Sequence, residues 1–503
     1  MNKFKQEMNF EITDIVFSLV MLVCGFLYWN LINAMFMGIG VTIFAIVLFT
    51  VTYVYLLKSN HKQTFPSLLC LLVALVSALQ FTIFDDTIIT QLNFIFISAT
   101  YIYWVCLSTN RRIDKELSAY IIGDAYNQVL KIPFLNFDCL PFSFKKISKY
   151  KNMNGLMPAL IGILVCMPLM GIIISLLMSA DIAFENFIND VIKIFEMDKV
   201  MEYFIQFIFG IPVALYLYGL VYGNNKNRYT DTITVKTVDK AASVIKKAPK
   251  ITIYTILTMF NVIYLVFFAV QAVYLFSAFG GVLPSTFTYA EYARRGFFEL
   301  CNVAGINLGI LAVTHLVMKR AQKEEPKLLR IHTILTSSFT ILLIITALSK
   351  MVMYINAYGL TQLRIYTSWF MILLLFVFVT ICVRQIKKFN ASKTIVLGSV
   401  VLFLMLSYAN IDGMIAKYNV SMYLNGKIDS LDIDMLSQLS DATIMPIYEA
   451  YANTPWERAD IKTELMHAMT QNINYAPSDF RAFNFQTHSA NKIRTKLYLP
   501  QNR

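Results

Sequence analysis

The sequence predicts an all-α fold, a polytopic transmembrane helical bundle. Hydrophobic residues make up 57% of the 503 residues and charged residues only 15%, far from the proportions of soluble globular proteins. The apolar residues also gather into eleven segments of about 18–25 residues, the length that crosses roughly 30 Å of hydrocarbon as a helix. We therefore expect about eleven membrane-spanning helices.

The predicted spans follow one another along most of the chain. They cover residues 15–33, 35–57, 66–83, 88–108, 155–179, 201–223, 252–278, 297–318, 329–348, 365–385 and 393–411. Met1–Asp14 is polar, and the first apolar run passes almost directly into the second without a small-residue cleavage pattern. We expect a retained first span rather than a cleaved signal peptide.

Basic residues predict the orientation of these spans. Alternate connections are rich in lysine and arginine, starting with the connection after the second span. The opposite connections carry only Lys193, Lys199, Arg294, Arg295, Lys350 and Arg364. Cationic loops resist translocation, so the basic side is predicted to be cytoplasmic, with the N-terminus inside and the C-terminus outside.

Composition argues against several other classes of function. The formal net charge of +12 comes from these short basic connections, which attract anionic lipid headgroups, and no base-stacking motif accompanies them. We therefore expect the lipid bilayer and no nucleic acid as a partner. The seven cysteines and five histidines show no ligand spacing, so neither a metal nor a cofactor is expected. No Walker A, G-x-S-x-G or H-E-x-x-H run occurs, which favours a protein that is not an enzyme.

Three regions are predicted. Residues 1–150 form an N-terminal membrane region of about four spans followed by a cytoplasmic amphipathic connection. Residues 151–412 form a membrane core of about seven spans, and residues 413–503 form a small helical extracytoplasmic tail. In this tail, Thr454-Pro455-Trp456-Glu457 has the layout of a capping box, and the helix it starts carries Ile461, Leu465 and Met469 at four-residue steps. We expect the tail to rest on the bundle, because it is too short to bury a large core alone.

The main candidate site lies where the eighth span begins. Glu291, Arg295 and Glu299 fall at four-residue steps and would share one helix face, which Asn302 continues; Arg294 lies beside them. Ionisable groups at such depth usually face the bundle interior or a water-filled cavity. Two interpretations remain open: a structural ion-pair network that fixes the rotation of the helix, or a ligand or ion site.

Tyr358, Arg364 and Tyr366 belong to the same predicted outer side. They lie around the connection between the ninth and tenth spans. Tyrosines at this level are typical of the aromatic belt, whereas an arginine on the translocated side is less usual.

Two weaker pairs of candidates complete the set. Asp85 and Asp86 form a tight outer turn, where we expect solvated turn residues; the alternatives are cation coordination or a role in sugar transfer. Asn261 and Gln271 lie on one face of the seventh span, where interhelical hydrogen bonding is the simpler interpretation.

Three sequence runs carry a family resemblance. YAEYARRGFFEL, YINAYGLTQLRIY and AKYNVSMYLNGKIDSLDIDMLSQLSDA resemble bacterial membrane proteins grouped as domain of unknown function 4173, which is akin to family 4153. The resemblance extends from about Tyr264 onward. It implies a bacterial multi-pass protein of the cell membrane, and it carries over neither an activity nor catalytic residues.

Three functions remain in competition at the level of sequence. The first is transport or handling of a small or lipid-like substrate through the outward-facing polar site. The second is a regulatory, sensory or accessory membrane subunit with a membrane or regulatory protein partner. The third is a membrane-embedded transferase of lipid-linked sugars.

Overall fold

The computed structural model describes residues 10–32, 37–150, 166, 170, 173–194, 197–280, 289–318, 326–470 and 479–498. These residues form helices joined by short connections, without a β-strand. The predicted all-α class is confirmed.

The helices are numbered in chain order. They are α1 (Ile12–Leu31), α2 (Ile39–Lys58), α3 (Phe65–Ile83), α4 (Thr87–Ser108), α5 (Ile121–Tyr126), α6 (Ile132–Leu135), α7 (Cys139–Tyr150), α8 (Ile182–Ile194), α9 (Met197–Asn225), α10 (Val235–Ile245), α11 (Lys250–Gly280), α12 (Tyr289–Val317), α13 (Lys327–Tyr358), α14 (Gln362–Ile386), α15 (Ala391–Ser407), α16 (Ile411–Leu424), α17 (Ile433–Ser437), α18 (Ile444–Asn453), α19 (Ala459–Thr470) and α20 (Phe485–Tyr498).

The long helices match the predicted spans closely. In the described ranges, nine helices are long and apolar enough to cross a membrane: α1–α4, α9 and α11–α14. A tenth candidate is the pair α15 and α16, which is bent by 56°. Most of the predicted fifth span, 155–179, lies outside the described residues. The polytopic membrane architecture is thus confirmed, while the side that each terminus faces stays a prediction.

One group of helices packs around α1 and α9. Its core includes Met21, Trp104 and Tyr218, all fully buried, and it also takes in α2, α3 and α4. Where α1 crosses α9, Gly25 meets Gly210, and a Cβ atom on either would collide with the backbone of the other helix. The absence of side chains at this crossing allows the two backbones to approach closely.

A second group consists of α11, α12, α13 and α14. Phe297, Ile344, Ala347 and Phe378 are fully buried in its centre. The antiparallel contacts of α12 with α13 and of α13 with α14 dominate this group. Its helix ends carry most of the predicted candidate residues.

The connection after α4, predicted to be cytoplasmic and amphipathic, packs partly into the first helix group. Ile132 and Cys139 are fully buried there, Ile132 against α9. Gly219 of α9 leaves the space that the backbone carbonyl of Pro133 occupies. α10, in contrast, has no buried residue, which suits a helix at the membrane interface.

The tail is a cluster of short helices, α16 to α20. The predicted stripe of Ile461, Leu465 and Met469 is confirmed, since all three are buried in the tail core. The predicted capping box is wrong: the Thr454 hydroxyl donates to the carbonyl of Ala450 (2.7 Å) at the end of α18, and α19 begins only at Ala459. Thr454 therefore closes one helix rather than opening the next.

The tail packs against one end of the bundle, called the tail end below. The Ile39 N–H donates to the Phe483 carbonyl (2.9 Å), and Arg481 Nη1 donates to the Asn30 carbonyl (2.7 Å). The backbone N–H of Asp85 donates to the Gln486 side chain (2.9 Å). The connections α1–α2 and α3–α4 thus lie at the same end as the tail, and the basic connections lie at the opposite end, called the basic end.

Candidate functional site

Arg364 is held firmly at the tail end, in the first turn of α14. Thr361 caps this helix by accepting the Arg364 N–H (3.4 Å). Arg364 Nη1 donates to the carbonyls of Tyr358 (3.0 Å) and Gly359, the residue with φ of 76° that reverses the chain between α13 and α14. The guanidinium lies over the Tyr354 ring, 4.0 Å from its centroid. These contacts fix the plane of the guanidinium.

A cavity of about 350 Å³ lies beside this arginine. Its lining residues come from the ends of α12, α13 and α14: Phe297, Phe298, Met351, Tyr354, Thr361, Leu363, Arg364 and Thr367. Among the described residues, hydrogen bonds to backbone carbonyls come from Nη1, so that Nε and Nη2 of the guanidinium have N–H donors for a ligand. Among the described lining residues, Arg364 is the cation and most of the others are apolar or aromatic, which suits an anionic group attached to an apolar body.

Glu299 lies near this cavity and has an interhelical partner. Its side chain is exposed on α12 and interacts electrostatically with Lys350 of α13. Asn302, the next candidate on this helix, is also exposed. The sequence pattern pointed to partners on the same helix, and Lys350 was missed because it lies on the neighbouring one.

The remaining members of the predicted ladder are Glu291, Arg294 and Arg295. Their backbones belong to α12, so the single helix on which the ladder depends is present. Their side chains lie outside the described residues. The pairing of Arg295 with two carboxylates therefore stays a prediction.

Asp86 is not the solvated turn residue that the sequence suggested. It is 6% exposed and caps α4, accepting the Ile89 N–H (2.9 Å) on Oδ1. Its Oδ2 accepts a hydrogen bond from the hydroxyl of Tyr366 (2.8 Å). The prediction is wrong because the tail covers this turn. Tyr366 therefore contacts Asp86 at the α3–α4 turn and is not among the residues that line the Arg364 cavity.

Asp85 joins the bundle directly to the tail. Its carboxylate accepts hydrogen bonds from the Asp441 N–H (3.4 Å) and from Asn484 Nδ2 (3.3 Å). Asp441 in turn pairs with Arg494 (2.7 Å), and both side chains are buried. Burial and the negative charge of Asp441 raise the pKa of Asp85 to about 6.

A further buried carboxylate, Asp412, lies at this contact between bundle and tail, and the contact formed by Asp85, Asp86, Asp412 and Asp441 is called the joint below. Asp412 accepts hydrogen bonds from Gln362 Nε2 (2.7 Å) and from the Ser440 N–H (2.9 Å). Burial, and to a lesser degree the charge of Asp412, raise the pKa of Asp86. Within the described part of the chain, no group of three or more His, Cys, Asp or Glu residues has an arrangement that could hold a metal ion. The hydrogen bonds of Asp85 and Asp412 connect the bundle to the tail.

Asn261 belongs to a polar network inside the second helix group. Its side chain hydrogen-bonds to His332 Nδ1 (3.3 Å) and accepts from the Thr336 hydroxyl (3.0 Å), both on α13. One turn further along α11, Tyr264 donates to Asn307 of α12. These contacts are interhelical hydrogen bonds. The side chain of Gln271, predicted to share this face, lies outside the described residues.

Comparison with known proteins places this architecture in a family. Neither a curated protein nor a solved structure matches the chain. A family model described as "Domain of unknown function (DUF4153)" matches residues 67–450, which is most of the chain. This is family 4153, named above as related to family 4173. The match begins in α3, well before the motifs that carried the resemblance. The chain therefore belongs to the family of proteins that contain domain of unknown function 4153.

Proposed function

We propose that this protein binds and handles a small or lipid-like substrate with an anionic group, which enters the Arg364 cavity from the bilayer or from the tail side. The observation that carries the proposal is a cavity with one oriented guanidinium among apolar walls, located at the ends of three spans. Charged groups at span ends lie at the level of lipid headgroups. A substrate could thus place its anion on Arg364 and its apolar part on Phe297, Met351 and Leu363.

The packing around the cavity favours an amphiphile over a conducted ion. The polar network inside α11, α12 and α13 ends at Asn307 and Thr340, whose side chains hydrogen-bond (2.9 Å). Between this pair and the cavity, the described buried positions are mostly apolar, among them Ala304, Ile344 and Ala347, and the Thr346 hydroxyl there donates to the Leu342 carbonyl of its own helix (2.8 Å). An ion crossing this layer would lose its hydration without replacement ligands. Transport, in this proposal, concerns a molecule that can remain partly in hydrocarbon.

The predicted orientation gives the proposal its cellular setting. The positive-inside rule would place the tail and the Arg364 cavity outside the plasma membrane of a bacterial cell, with the bilayer as the immediate partner.

A regulatory or accessory role is the second candidate. It is favoured by apolar side chains on the surface of the tail: Trp456 is 77% exposed, and Phe480 and Met445 are also exposed. Such residues would suit contact with a membrane or a regulatory protein partner. A lipid-linked transferase has less support, because the tail encloses both Asp85 and Asp86.

Photolabelling of the full-length protein in lipid nanodiscs tests the first proposal. The probe is a photoreactive dodecyl phosphate, and the labelled peptides are identified by mass spectrometry. We expect labelling within residues 351–367, and we expect Arg364→Gln to lower it about tenfold, the effect of losing a charge-assisted hydrogen bond.

The matched control is Arg384→Gln, since Arg384 lies in the last turn of the same helix, at the opposite end of the span. This control should label like the wild type. If Arg364→Gln also labelled like the wild type, the Arg364 cavity would not be the binding site.

A further inference from the structure

A second and larger cavity lies at the basic end of the bundle. Its volume is about 690 Å³, within the range of ligand-binding pockets. The walls come from the first half of α3, the second half of α4, the start of α15 and the connection from 112 to 129. Most of the lining is apolar, including Leu69, Val73, Phe96 and Val400.

The polar residues of this cavity include three cations. Arg112 and Lys115 come from the connection after α4, and Lys393 comes from the first turn of α15. Glu116 and Asp124 also line the cavity, but Asp124 is engaged, since it accepts the Ile113 N–H (2.8 Å). The cavity thus combines long apolar walls with a polar end, called the cationic end below, where three cations outnumber two carboxylates.

Arg112 supplies an observation that points to a ligand. Within the part of the chain that the structure describes, its Nε–H is buried and has no hydrogen-bond acceptor. The guanidinium does interact with Tyr103 and Asp124, which leaves Nε as the unsatisfied donor. Leaving a buried donor of a charged group unpaired is costly, and an anionic oxygen at this point would satisfy it.

The protein also fixes the elements that carry these cations. Asn390 Nδ2 donates to the carbonyl of Leu117 (2.7 Å), which ties the start of α15 to the connection after α4. The Asn390 Oδ1 accepts the Lys393 N–H (3.0 Å) and so caps α15. Lys393 and Arg112 are therefore kept at the same cavity by hydrogen bonds that do not involve their own side-chain charges.

We propose that this cavity is a binding site for one membrane phospholipid with an anionic headgroup, taken from the leaflet at the basic end. The headgroup phosphate would accept from Arg112 and lie between Lys115 and Lys393, while an acyl chain would lie along Leu69, Val73 and Val400. This site lies at the opposite end of the bundle from the Arg364 cavity and is independent of the proposal made for it.

A lipid fits this cavity better than a soluble anion does. The walls belong to helices that are candidate membrane spans, and Leu72 and Val401 of these helices, which do not line the cavity, are exposed. Free phosphate would satisfy the cations but would leave the apolar walls uncovered. The cationic end also lies on the side predicted to be cytoplasmic, where anionic lipids attract basic residues.

The chain contains an internal comparison for this proposal. Another cavity, of about 460 Å³, is lined by residues such as Phe44, Phe49 and Tyr101, and none of its described lining residues is charged. A lipid chain that enters it would gain apolar contacts alone. We expect binding there to be insensitive to the headgroup.

The test measures lipid retention by native mass spectrometry on the purified full-length protein. Phosphatidylglycerol and phosphatidylcholine with identical acyl chains are compared, and inorganic phosphate is tested separately. We expect one phosphatidylglycerol to be retained about tenfold more strongly than phosphatidylcholine, as for a charge-assisted contact, and inorganic phosphate not to compete at equal concentration.

Two variants and one control connect lipid binding to the cavity. Lys393→Gln changes an exposed side chain, so the substituted protein should fold normally. The double variant Arg112→Gln with Lys393→Gln should lose the preference for phosphatidylglycerol. Lys387→Gln with Lys388→Gln is the matched control, because it removes two cations from the basic end outside the cavity. Val400→Trp should weaken retention of both lipids by filling the cavity.

Three results would overturn the proposal. They are equal retention of the two lipids by the wild type, equal loss of preference in the two double variants, or displacement of phosphatidylglycerol by free phosphate. The last result would assign the cations to a soluble anion.

Discussion

Asp85 carries an ionisable group at the contact between bundle and tail. Burial and the Asp441 carboxylate raise its pKa from the ordinary value of 3.8 to about 6. Between about pH 4 and pH 6, the Asp85 carboxyl is therefore protonated in a larger fraction of folded molecules than of unfolded chains. Stability of the joint is greatest at the low end of this window, and it falls as the pH rises through 6.

We predict that the tail is held more firmly at pH 5 than at pH 7.5, and that Asp85→Asn reduces this difference. Hydrogen exchange at Ile411–Leu424 and Phe485–Tyr498 measures it, since these helices contact the joint. The control is Asp429→Asn, which removes an exposed carboxylate of the same tail and should leave the pH dependence unchanged. Faster exchange at pH 5 than at pH 7.5, after correction for intrinsic rates, would contradict the prediction.

The misassignment of Asp85 and Asp86 has a physical reason. Two acids between apolar runs have the local signature of an exposed turn, and local pattern was the information that the sequence offered. The burying partners come from far along the chain: Asp441 is 356 positions from Asp85, and Tyr366 is 280 positions from Asp86. A contact at that distance leaves no periodic signal in one sequence.

Elements whose stability depends on local properties could be predicted well. Length and hydropathy define a membrane-spanning helix, so ten of the eleven predicted spans coincide with described candidates. The segment after α4 could not be predicted in this way, because an amphipathic stripe suits a membrane surface as well as a groove in a bundle. Ile132 and Cys139 occupy such a groove, and only the position of α9 decides the outcome.

The contact between α1 and α9 depends on the absence of side chains at one crossing point. We predict that Gly210→Ala lowers the thermal stability of the protein in detergent or nanodiscs, because the new methyl group would collide with the backbone of α1 at Gly25. Overpacking of this kind costs about 1–3 kcal/mol, against a gain of up to about 1 kcal/mol in helix propensity.

Gly305→Ala is the matched control for this prediction. Gly305 also lies inside a predicted span, but no heavy atom lies within 4 Å of its added Cβ. The control should be as stable as the wild type or slightly more stable. If both substitutions shifted the melting temperature equally, the effect would come from helix propensity rather than from the crossing.

For the whole molecule, the tail links separate parts of the bundle. It contacts the α1–α2 connection through Phe483, the α3–α4 connection through Gln486, and the α13–α14 connection through Asn419, which accepts the Leu360 N–H (2.7 Å). The alternation of basic connections predicted that these three connections share one side. Their common contact with the tail agrees with that alternation, although the side of the membrane is a separate question.

We predict that this side is outside the cytoplasm. Translocation of a connection requires moving its charges through the bilayer, and the basic end carries many more lysines and arginines than the tail end. A reporter fused after Tyr498 should therefore be active outside, and one inserted near Val235, in the connection that contains α10, should be active in the cytoplasm. Glutamine substitution of Lys387 and Lys388 should leave this result unchanged, because the other basic connections remain. Cytoplasmic activity of the first fusion would reverse the proposed orientation and move the Arg364 cavity to the inner leaflet, while leaving the helix packing described here intact.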